Sequence, residues 1–262
     1  MDSSSKWPTD GKEHSNVSLN HLYRNGVIDN FLSNENANIL IATKGMGKTL
    51  LLRAKKKILE ESHLGHLIIP RNEEFDEPDF HGSYSPNKII NSIESWRSIW
   101  EISIILSVLS YSNSHRESND FKRLIDDYFH SITKIDDSLK DDFKLTIFNQ
   151  DSRKPSYYLN ELISRYSFKH IEHFIRESSS KIYVLSDRFI TSSVCVFIDA
   201  FDQTLSYKFP NNNEIWKNGQ LGLLKAAHKL HVRNKHLKIY QKIIHRKKKK
   251  IQISGCYQVA PL

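Results

Sequence analysis

One stretch limits the fold more than any other. Asn38 to Ala42, NILIA, is a short apolar run bounded by polar residues and reads as a buried strand. It passes directly into Ala42-Thr43-Lys44-Gly45-Met46-Gly47-Lys48-Thr49. A helical pattern follows, with Leu50, Leu51, Ala54, Ile58 and Leu59 on its core face and Lys55 to Lys57 mostly toward water. A glycine-rich turn between strand and helix aims successive backbone N–H groups into one concavity, and the helix start adds positive potential. Gly45 and Gly47 permit torsions and a close anion approach that side chains block. The expected fold is α/β, a parallel sheet flanked by helices.

The remaining pattern fits that frame. His66 to Ile69 reads as a second strand, stopped by Pro70. From Arg71 to about Ile190 the chain reads as a large helical insertion. Ser85-Pro86 is a helix start, and Trp96, Ile99, Trp100, Ile104 and Leu106 to Leu109 form an apolar stripe. Asn119 is placed to cap a helix through Tyr128, and Ser167 another that carries Ile171, Phe174, Ile175, Ile182, Leu185 and Phe189. The period then changes. Val194 to Ala200, VCVFIDA, reads as a buried parallel strand. Asn211 to Asn213 start a helix bearing Trp216, Leu221, Leu224, Ala227 and Leu230, and His236 to Tyr240 is a further strand. The domain is thus expected over residues 19–240, after a polar, disordered lead-in at 1–18 and before a basic, disordered tail at 241–262.

Composition narrows the class. With 39% hydrophobic and 26% charged residues, 9 Gly and 7 Pro, the chain is neither fully disordered nor collagen-like. Its two cysteines, Cys195 and Cys256, make no disulfide framework. No apolar signal core is visible, and Ile99 to Tyr111 is too short and interrupted to span a bilayer. The expectation is a cytoplasmic protein without a membrane partner. The net charge of +8 is local: of 38 Lys and Arg, 12 fall between Ile215 and Leu262, where there is no Asp or Glu. That leaves 26 basic against 30 acidic groups elsewhere, a net of −4, so global basicity is no argument for nucleic-acid binding.

Chemistry concentrates at two places. The Ala42–Thr49 motif fits a phosphate-binding loop, with Ala42 in place of the usual first glycine. Lys44, Gly45, Met46, Gly47, Lys48, Thr49 and Leu50 form the cradle, with Lys44 itself read as a solvated loop lysine. Lys48, expected exposed until phosphate arrives, reaches the β- and γ-phosphates, and the Thr49 hydroxyl holds Mg²⁺. At the second place, the apolar strand Val194 to Ile198 delivers Asp199 to a carboxyl edge of the sheet, where ligands bind in such folds. Asp199 faces Thr49 across the Mg²⁺.

This pair resembles the Walker A and Walker B motifs of P-loop NTPases. Asp199-Ala200-Phe201-Asp202 is similar to the signal-transducing STAND class, especially its NACHT-like members. There the Mg²⁺ aspartate is followed by a tiny residue, and an acid comes three places later. Gln203 departs from that pattern, which continues with a second acid. The resemblance implies Mg-ATP binding with slow hydrolysis, as the switch module of a signalling or defence-type ATPase. It also implies a second copy or an effector protein as partner. Asp202 is read either as the residue that activates water or as a helix cap or hydrogen-bond acceptor behind the site.

Two other function classes stay open. A nucleic-acid-associated ATPase would use the basic run His245 to Lys250. A truncated family member would bind nucleotide without turnover. The lysine run suits the second class, because an adenine run can encode it and reading frames slip at such runs. On that reading roughly the last twenty residues are foreign to the parent family. Only Ile251 to Ser254 then resembles a further strand, and the Asn38–Ala42 strand is expected to be a bare edge. The histidine pairs His170/His173 and His228/His231 are read as solvated helical residues rather than metal ligands.

Overall fold

The computed structural model describes residues 25–42, 47–62, 65–70, 92–112, 117–148, 152–199, 213–244 and 258–261. In chain order the elements are α1 (Gly26–Ser33), β1 (Ala37–Ala42), α2 (Lys48–Glu61), β2 (Leu67–Ile69), α3 (Ile93–Tyr111), α4 (Asn119–His130) and α5 (Asp137–Phe148). Then come α6 (Pro155–Arg165), α7 (Phe168–Phe189), β3 (Val194–Ile198), α8 (Asn213–Arg233), β4 (Leu237–Ile244) and β5 (Gln258–Pro261). The strand order is β2-β3-β4-β1-β5, and the first four strands are parallel, so the chain is α/β. Two compact units share it: residues up to Leu64 with those from Tyr240 onward, and Gly65–Ile239.

The first unit is built around β1. Ile39 to Ala42 pair in parallel with Gln241 to Ile244 of β4. Helix α1 starts at Asn25, whose side chain accepts the Ile28 N–H at 2.9 Å, and it buries Ile28, Phe31 and Leu32. Two expectations change here. Strand β4 does not stop at Tyr240; it continues through Gln241 to Ile244, because backbone pairing with β1 extends it past the apolar pattern. Nor is β1 a bare edge: β5 pairs antiparallel with it, Leu40 opposite Val259 and Ile41 opposite Gln258. Residues 251–254, the one strand-like stretch read beyond Tyr240, lie outside the described residues.

In the second unit β2 runs parallel to β3, Leu67 opposite Val194 and Ile69 opposite Val196. Between these two strands the described residues form five helices. Helix α3 is their axis: every residue from Ser98 to Tyr111 is buried, and the helix packs on α5, α6, α7 and α8. It starts at Ser92, whose hydroxyl accepts the N–H groups of Glu94 and Ser95 at 3.2 and 3.4 Å. The expected start at Ser85-Pro86 lies outside the described residues.

Helix α8 crosses α3 at Gly222. A Cβ there would overlap the Trp96 Cβ and lie 2.9 Å from the Arg97 backbone N. This contact rotates the buried face of α8 relative to the expected one. Ile215, Leu223, Ala226, Ala227 and Leu230 are buried, while Leu221 and Leu224 are only partly so. The cap of α4 is Ser118 rather than Asn119, its hydroxyl taking the Phe121 N–H at 3.5 Å. Ser167 does stand at the N-cap of α7, but without a side-chain cap bond.

Candidate functional site

In the first unit the site is the junction of β1 and α2. Gly47 is the N-cap of α2 and adopts φ 70° and ψ 20°, the left-handed region that favours glycine. It supplies no side-chain cap, and its carbonyl accepts the Leu51 N–H at 3.1 Å. The first turn contains Lys48 and Thr49 and no acidic residue. A helix start attracts negative charge and disfavours a lysine, so this composition suits an arriving anion better than an isolated helix. Thr49 and Leu50 are partly exposed.

Lys48 departs from expectation, being 5% exposed. Lys48, Leu51, Leu52 and Lys55 recur at helical spacing on the buried face of α2, so the lysine stem packs with that face. Thr43, Lys44, Gly45 and Met46 lie outside the described residues.

The sequence also misplaces Lys55 and Lys56, expected in water and found buried. The Lys55 ammonium donates to the carbonyls of Leu32 at 2.9 Å and Asn34 at 3.0 Å. It stands 5.8 Å from the ring centres of both Phe31 and Tyr240. The Tyr240 hydroxyl in turn donates to the Glu35 carbonyl at 2.9 Å. Lys56 pairs with Glu60 one turn on, at 3.6 Å. A run of three lysines looks solvated; the signal that was available is the seven-residue spacing from Lys48 to Lys55.

In the second unit, all five residues of β3 are buried, and Asp199 follows them at 1% exposure. Cys195 is a buried thiol within that strand. Ala200, Phe201, Asp202 and Gln203 lie outside the described residues, as does the basic run 245–250.

The histidines are dispersed. His170 and His228 are exposed; His173 meets Glu177 at 2.7 Å and His231 approaches the Leu237 carbonyl at 3.3 Å. Among the described residues no three His, Cys, Asp or Glu gather as metal ligands, and no helix is long and apolar enough to cross a membrane. No family model, no curated protein and no solved structure matches this chain.

Proposed function

We propose that this chain binds Mg-ATP and turns it over slowly, as the nucleotide switch module of a signalling or defence-type P-loop ATPase. One observation supports this above the rest: the left-handed Gly47 that joins β1 to a helix opening on Lys48-Thr49 with no acid in its first turn. In this reading the backbone N–H groups from Lys44 to Leu50 cradle the phosphates, and Lys48 meets the β- and γ-oxygens. The Thr49 hydroxyl and the Asp199 carboxylate would be the groups that hold Mg²⁺, which would neutralise phosphate charge during transfer. Asp202 orients the attacking water. Slow hydrolysis lets the bound nucleotide report a conformational state.

The test is calorimetric titration of the full chain with Mg-ATP. Binding is expected, weaker without Mg²⁺, and the Mg²⁺ dependence is expected to vanish in Thr49→Ala and Asp199→Asn. Asp202→Asn is expected to spare binding and slow phosphate release. Lys48→Ala is expected to abolish binding, read beside a thermal melt because Lys48 is buried. A wild-type chain that binds no Mg-ATP overturns the proposal; binding without any turnover at high protein concentration assigns a nucleotide-binding remnant instead.

A further inference from the structure

We infer that Lys55 is a positioning residue that sets where the start of α2 points, an inference that rests on the nucleotide reading above. A buried ammonium is expensive unless its hydrogens are satisfied, and a Leu or Met would pack the same stem without that cost. Lys55 is 1% exposed, and its ammonium donates to two backbone carbonyls. Its partners, the carbonyls of Leu32 and Asn34, stand at the end of α1, where helix carbonyls lack intrahelical donors and the helix dipole is negative. The faces of Phe31 and Tyr240 add further negative potential.

The connectivity gives this contact its consequence. Residues 32–36 lead into β1, and α2 leaves it through the Gly47 turn. Lys55 therefore ties the segment before β1 to the helix after it. Tyr240 of β4 holds the same segment through its hydroxyl on Glu35. Lys55 lies seven positions after Lys48, about two helical turns on one face, so that face is anchored at a fixed depth two turns from the helix start. A helix pinned there is not free to slide or roll, and the N–H groups at its start keep one aim. Pre-set donors bind phosphate without being reorganised, whereas a helix that must be re-seated loses affinity.

Mg-ATP titration tests this on the full chain, with Lys55→Met, which keeps the stem and removes the ammonium, and Lys55→Arg, which can again reach two carbonyls. Leu59→Ala, elsewhere on α2, serves as a control for lost stability. With all proteins folded at the working temperature, Lys55→Met is expected to weaken Mg-ATP by about tenfold, Lys55→Arg to restore it to within about threefold, and the control to bind as wild type. Unchanged affinity in Lys55→Met, or an equal loss in the control, overturns the inference. If Lys55→Met does not fold, Tyr240→Phe carries the test: a loss of about threefold supports it and wild-type affinity overturns it. A wild-type chain that fails to bind Mg-ATP removes the nucleotide reading itself, a separate result from a wild type that binds and a Met variant that binds equally well.

Discussion

Each unit of this protein buries an ionisable side chain, and the two are stabilised in opposite ways. In the helical unit Glu101 of α3, 1% exposed, is answered by side chains. Arg97 Nε lies 3.3 Å away and Lys229 Nζ 3.4 Å, and the Tyr183 hydroxyl donates to the same carboxylate. Arg233 stacks on the Tyr183 ring at 4.4 Å and pairs with Asp187. In the unit around β1, Lys55 is answered by backbone carbonyls. A network of side chains can be exchanged as a set, and natural cores accept apolar replacements of such sets. Backbone carbonyls cannot be mutated away, so the charge at Lys55 is fixed by the chain path itself. The first arrangement specifies which helices meet; the second specifies where one helix end sits.

The largest effect that would break this comparison lies where α3 and α8 cross. Gly222→Ala forces a methyl into the Trp96 side chain and the Arg97 backbone, neither of which is a flexible tip. The helices must separate, and an overpacked crossing of this kind costs about 3 kcal/mol. Chemical denaturation of the variant checks it; stability within about 0.5 kcal/mol of wild type means the two helices slide apart at no cost.

Next in size is the carboxylate that this crossing buries. Glu101→Gln leaves Arg97 and Lys229 without their shared anion. Both cations are partly exposed and can rehydrate, so the loss is about 2 kcal/mol, below that of a fully buried pair. Adding Lys229→Met is expected to recover part of that loss. The coupling read from the double-mutant cycle measures how exchangeable the set is, and zero coupling refutes the networked description.

A third change sharpens the contrast on the other side. Asn38 on β1 is fully buried, and neither polar atom of its side chain has a hydrogen-bond partner among the described residues. Asn38→Leu removes an unsatisfied amide at similar volume and is expected to raise stability by about 1 kcal/mol. A destabilised variant, in the same denaturation experiment, would show that the amide meets a group beyond those residues.

These contrasts explain what the sequence disclosed. β1, the Gly47 cap, β3 and the Asp199 position were legible because a continuous apolar run with abrupt polar ends leaves few alternatives, and because a left-handed cap favours glycine. The hub of the helical unit was legible as an apolar stripe, but Glu101 within it was not, since its partners come from residues far along the chain. Lys55 hid inside a lysine run for the same reason: its acceptors are carbonyls, which carry no side-chain signature. The last half of β4 hid because Gln241 and Lys242 interrupt the apolar pattern, while the pairing that extends it is made by backbone. Ser118 and Asn119 both have capping side chains, and local preference does not separate adjacent candidates.

The smallest effect lies at the solvent edge of the same α3–α8 contact and supplies the exposed limit of the comparison. Glu94, in the first turn of α3, accepts from Lys225 Nζ at 2.6 Å and pairs with Arg97 on its own helix. The Lys225 hydrogen bond, opposed by desolvation and aided by the charges of Arg97, Lys225 and Lys229, holds its carboxyl below the ordinary value of 4.5. A carboxyl with a lower pKa folded than unfolded adds stability above its unfolded value and loses it as pH falls through the folded one. Glu94 and Lys225 are each 52% exposed, so solvent screening limits this to about a few tenths of a kcal/mol. Glu94→Gln is therefore expected to melt slightly below wild type at pH 6, with the gap closing as pH falls below 4.5 and also closing in high salt. Wild type loses its margin because its own Glu94 becomes neutral, like the Gln that replaces it. If the gap stays constant from pH 6 to pH 3, Glu94 acts through helix packing rather than charge, and the distinction between a buried hub and a screened rim at this crossing fails.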